Sequence, residues 1–66
     1  MAEEKIRLGS NYDPSLIGRE AYVTEKNGRR RLSVVGEAIT DDDVKILVWD
    51  PSLWPVGHPD LKVEWL

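Results

Sequence analysis

One dipeptide, Asn27-Gly28, sits between two β-prone runs, Ala21-Tyr22-Val23-Thr24-Glu25-Lys26 and Arg29-Arg30-Arg31-Leu32-Ser33-Val34-Val35. Both of its residues tolerate the positive φ of a two-residue type I′ turn, so the pair predicts a β-hairpin. A loop of that length fixes the register as well: Lys26 faces Arg29, Glu25 faces Arg30, Val23 faces Leu32 and Ala21 faces Val34. One face then collects Ala21, Val23, Leu32 and Val34, with Glu25 and Arg30 as an opposite-charge pair at its rim. The other face carries Tyr22, Thr24, Lys26, Arg29, Arg31 and Ser33.

The second strand continues through Gly36-Glu37-Ala38-Ile39-Thr40, turns at Asp41-Asp42-Asp43 and returns as Val44-Lys45-Ile46-Leu47-Val48-Trp49-Asp50. With the three aspartates as the loop, Thr40 faces Val44, Ala38 faces Ile46 and Gly36 faces Val48, which extends the face that already holds Val34. Gly36 permits a bend, so this long middle strand can serve two sheets. The opposite face collects Val35, Ile39, Leu47 and Trp49, and a strand apolar on both faces needs cover on both. That cover comes either from Leu53, Trp54, Val56, Leu61, Val63 and Trp65 or from another chain. Residues 50–60 hold three prolines and predict an irregular crossing rather than a strand. Leu61-Lys62-Val63-Glu64-Trp65-Leu66 alternates as a closing strand should. Asp13-Pro14-Ser15-Leu16-Ile17 offers an N-cap, Pro at the first helical position and Gly18 as a stop, which suits one short helical turn. Polar, acidic Met1 to Lys5 has nothing to hold it to a core, so fraying is expected there.

At 66 residues the chain is read as a single small β domain, residues 1–66, with a thin core. In layout it resembles a small SH3-like half-open barrel, all-β, or an antiparallel meander of four to five short strands. It contains no Cys, so disulfides, thiolate metal sites and a cysteine nucleophile are excluded. No apolar run approaches the length of a signal-peptide core or a membrane span, so the expected location is the cytoplasm.

Catalysis is hard to build from this inventory, and no enzyme is expected. The single His, His58, lies between Gly57 and Pro59 and reads as a surface-loop residue. A chain with so little interior can hardly line the cleft that paired carboxylates need, and no nucleophile elbow, phosphate loop or zinc-helix motif occurs. Asp41-Asp42-Asp43 lacks the alternating ligand spacing of a calcium loop and reads as a solvated turn. No metal, cofactor or small-molecule substrate is therefore expected.

Two surfaces remain. Val35, Leu47, Trp49 and Trp54 form an apolar contact for a protein partner or for a second copy of the chain, tryptophan being enriched at interface hot spots. This is the favoured function: a binding or assembly module acting through protein–protein interaction, self-association included. The alternative is nucleic-acid binding at the first hairpin, with Lys26, Arg29 and Arg31 on phosphates and Tyr22 stacking a base. Nine Lys and Arg against twelve Asp and Glu, a net charge of −3, argue against long-range attraction to a polyanion. A third reading, an acidic mimic of nucleic acid, suffers from how mixed those charges are.

Overall fold

The computed structural model describes residues 6–66, and the expectation for Met1 to Lys5 lies outside them. The strands are β1 (Arg7–Leu8), β2 (Glu20–Thr24), β3 (Arg30–Ile39), β4 (Val44–Asp50), β5 (Trp54–Pro55) and β6 (Lys62–Trp65). They form a sheet in the order β1-β4-β3-β2-β6, with β5 also on β4. Every pairing is antiparallel except that of β1 with β4. The architecture is all-β, a sheet curled into a half-barrel consistent with the small SH3-like layout. The expected helical turn is a 3₁₀ turn at Pro14–Leu16, where the Asp13 carboxylate accepts the Ser15 N–H at 3.1 Å and its hydroxyl at 2.7 Å.

The first hairpin forms around a different loop from the one its Asn-Gly pair predicts. Glu25 N–H donates to the Arg29 carbonyl at 2.8 Å and Gly28 N–H to the Glu25 carbonyl at 2.8 Å, so Lys26-Asn27-Gly28 is a three-residue loop. Gly28 alone takes a positive φ, +91°, while the Asn27 side chain accepts the Arg29 N–H at 2.9 Å. That is a type I turn closed by a left-handed glycine, the other loop this dipeptide can serve. The register moves by one residue: Tyr22 faces Leu32, Val23 faces Arg31 and Ala21 faces Ser33. A shift of one turns every side chain of the strand over.

The second hairpin keeps its expected register, with Ala38 opposite Ile46 and Gly36 opposite Val48. Its loop has the same design: Thr40 N–H donates to Val44 O at 2.9 Å, and Asp43, φ 61°, stands where Gly28 stands in the first. β3 pairs with β2 through Arg30–Val34 and with β4 through Val34–Ile39, so this strand joins two neighbours within one sheet rather than serving two sheets.

Across β3 and β4 the buried face is consequently the one expected to face outward, while Ala21 and Val23 of β2 stay inside as expected. Ala21, Val23, Val35, Leu47 and Trp49 make the core, with Tyr12, Leu16, Val56, Leu61 and Val63 packed on it. Leu47 and Trp49 have no exposed surface, and burying the leucine side chain contributes about 2 kcal/mol. The ring of Trp65 lies 5.3 Å from that of Trp49, and the Arg19 guanidinium lies 4.9 Å from Trp65 on centroid distances. Leu32, expected inside, is 48% exposed.

Two further features complete the β4 edge. The proline-rich crossing contains a strand after all, β5, because a proline is tolerated in a short strand at a sheet edge. Between β1 and β5 the Asn11 side chain stands in for a strand. Its Oδ1 accepts the Leu47 N–H at 3.1 Å, and its Nδ2 donates to the carbonyls of Leu47 at 3.0 Å and Val56 at 2.7 Å.

Candidate binding surface beside the first hairpin

The shift in register decides where each expected site residue lies. Val35, Leu47 and Trp49 are core residues, 2%, 0% and 0% exposed, so they form no contact patch. Trp54 is at the surface, 40% exposed. On the other hairpin face the expected platform of Tyr22 with Arg29 and Arg31 is not assembled. Tyr22 lies opposite Leu32 and is stacked by Arg30, whose guanidinium carbon is 4.0 Å from the ring centroid. Arg30 also pairs with Glu64 at 3.0 Å. Arg29 and Arg31 alternate with Arg30 and belong to the opposite face, with Val23 across from Arg31. Lys26 sits in the loop and is exposed.

The structure gathers a different set. Glu25, directly after β2, and Lys26 and Asn27 of the first loop stand across from Trp54, Asp60 and Leu61 of the C-terminal segment, enclosing an open cleft of about 270 Å³. Its aromatic wall is braced from behind. His58 lies edge-on to Trp54, ring centroids 5.0 Å apart, and its Nδ1 accepts the Asp60 N–H at 3.1 Å. The Leu61 N–H returns to the His58 carbonyl at 3.2 Å. These bonds fold residues 58–61 into the turn that carries Asp60 and Leu61 to the cleft, so His58 is a half-buried support rather than a free loop side chain. Two carboxylates, Glu25 and Asp60, and one ammonium, Lys26, make the rim negative on balance.

A second, wider depression of about 410 Å³ lies behind the same segment, lined by Asn11, Ile46, Pro55, Val56, His58 and Pro59 among others. The polar groups of Asn11 are taken up by the β4 edge, which leaves this depression largely apolar. Farther off, the Tyr12 hydroxyl donates to the Glu37 carboxylate, and that bond, with some desolvation, holds the phenol above its ordinary pKa. The Asp13 carboxyl is held below its ordinary range by its two bonds to Ser15.

Sequence reasoning singled out Trp54 and Lys26 on two different surfaces, a protein contact and a phosphate contact, and missed Glu25, Asp60 and Leu61 as walls of one cleft with them. The available signal was the close spacing of Trp54, His58 and Asp60 within a proline-rich stretch, which favours a tight turn there. Among the described residues no group of three or more His, Cys, Asp or Glu side chains is placed to hold a metal ion. No helix among them is long and apolar enough to cross a membrane. Compared with protein-family models, with curated proteins and with solved structures, the chain matches none of them.

Proposed function

We propose that this chain is a non-enzymatic protein-binding module that grips a partner segment in the cleft between the first hairpin loop and Trp54. The observation that carries the reading is a tryptophan left 40% exposed on the wall of a concave site, in a domain that buries another tryptophan completely. An indole held by His58 loses little freedom on binding, and tryptophan is among the residues enriched at interface hot spots. The cleft is large enough for a side chain rather than a folded domain. Its negative rim favours a basic side chain laid against the indole.

The test is a titration of isotope-labelled protein with short extended peptides that carry a central Arg or Lys, or an acidic residue as control. Expected are shifts confined to Glu25, Trp54, Asp60 and Leu61, preference for the basic peptides, and at least about a tenfold loss of affinity in Trp54→Ala. Peptide-induced shifts away from the cleft would refute this reading, and a response to oligonucleotides and not to peptides, with shifts on Tyr22, Lys26, Arg29 and Arg31, would replace it with the nucleic-acid one.

A further inference from the structure

Among the described residues, β6 pairs with β2 on one side and with no strand on the other. The direction of its main-chain groups follows from one bond: Leu66 N–H donates to Glu20 O at 3.0 Å, beside the Trp65–Ala21 pair. In an antiparallel ladder the pattern alternates, so Lys62, Glu64 and Leu66 turn their peptide groups toward β2 while Val63 and Trp65 turn theirs outward. An outward row of N–H and C=O groups is a template for another strand.

We propose that this edge pairs with the same edge of a second copy, antiparallel, about a two-fold axis through Val63. The parity of the outward groups leaves few registers. Only alternate residues offer their peptide groups, so the nearest symmetric pairings centre on Lys62, Val63 or Glu64. Centring on Lys62 sets two ammonium groups against each other, and centring on Glu64 sets two carboxylates against each other. Centring on Val63 sets Lys62 of each chain opposite Glu64 of the other. Lys62-Val63-Glu64 is thus self-complementary in charge, and both charged residues are exposed. In the same register Leu61 of the second copy falls opposite Trp65, which is 42% exposed in the single chain. This surface is separate from the Trp54 cleft and does not depend on it.

Sedimentation of the full chain from micromolar to millimolar concentration tests the pairing. The wild type is expected to dimerise, and Lys62→Glu and Glu64→Lys each to raise the dissociation constant by about tenfold or more, because each makes both cross-strand pairs like-charged. An equimolar mixture of the two variants restores dimers, since one chain then carries only negative and the other only positive charge at these positions. Far-ultraviolet dichroism of each variant checks that it is folded, which matters for Glu64→Lys because Glu64 also holds Arg30. Trp54→Ala leaves the equilibrium unchanged. A wild type that stays monomeric at millimolar concentration, a dimer indifferent to both reversals, a mixture that fails to recover it, or a dimer lost in Trp54→Ala overturns the proposal.

Discussion

Replacing Asn11 with Ala removes three hydrogen bonds at once, and burial decides which of them matters. Leu47 has no exposed surface, so its N–H, which donates to Asn11 Oδ1 at 3.1 Å, finds no water when the amide is gone. The Leu47 carbonyl keeps a bond from the Val56 N–H at 2.9 Å, and half-buried Val56 can turn its own carbonyl to solvent. A buried donor left unsatisfied costs about 1–3 kcal/mol, and the two carbonyl bonds add about 0.5–1 kcal/mol together once water or a remaining partner compensates. The expected loss is therefore about 2–3 kcal/mol, against a total of roughly 3–10 kcal/mol for a domain of this size. Tm falls by about 10–20 °C at the usual sensitivity for small domains. Urea unfolding followed by tryptophan fluorescence gives the difference in free energy, with an unchanged slope confirming that the transition itself is the same. Asn27→Ala is the matched control: its side chain also accepts a backbone N–H, that of Arg29, but on an exposed loop where water replaces it, so about 0.5 kcal/mol is expected. Equal losses in the two variants, or a change below about 0.5 kcal/mol in Asn11→Ala, would refute the argument from burial.

The loops and the titrating groups give further expectations. Asp43 occupies a left-handed position that Gly28 fills in the equivalent loop, so Asp43→Gly should stabilise by about 0.5–1 kcal/mol and Gly28→Ala destabilise by about 1–2 kcal/mol in the same unfolding assay. Asp13 has a lowered pKa through Ser15, so its contribution is complete above the ordinary carboxylate value of 3.8 and is lost as pH falls through the lower folded value; Asp13→Asn should flatten the acid limb of stability against pH. Tyr12 has a raised pKa through Glu37, so its contribution is complete below 10.0 and is lost as pH rises through the higher folded value; Tyr12→Phe should remove that alkaline decline.

The strands were legible where alternation and turn residues agreed. The second hairpin could be registered from sequence because three aspartates bounded by alternating strands leave little choice of loop. The first could be located but not registered, since Asn-Gly serves a two-residue loop if both residues take positive φ and a three-residue loop if only Gly28 does. That single dihedral, at Asn27, decides whether Val34 or Val35 is buried and hence which apolar set is the core. The misplacement of Val35, Leu47 and Trp49 and the mistaken partnership of Tyr22 with Arg29 and Arg31 share this origin. The sequence left Trp54 open between cover for the core and a contact surface, because its proline-rich segment has no periodicity to assign a face, and Asn11 was not legible at all: a side chain bonded to backbone 36 residues away leaves no periodic trace.

The division of β3 between its two neighbours has a consequence for how the domain comes apart. Arg30–Val34 and Val34–Ile39 use opposite edges of a single ribbon, meeting at Val34. Neither arm of the molecule possesses a complete framework once the other has melted, because the buried cluster joins Val35, Leu47 and Trp49 of one arm to Ala21 and Val23 of the other. Loss of order at either end should therefore travel through this hinge rather than stop there, making the described chain one cooperative unit.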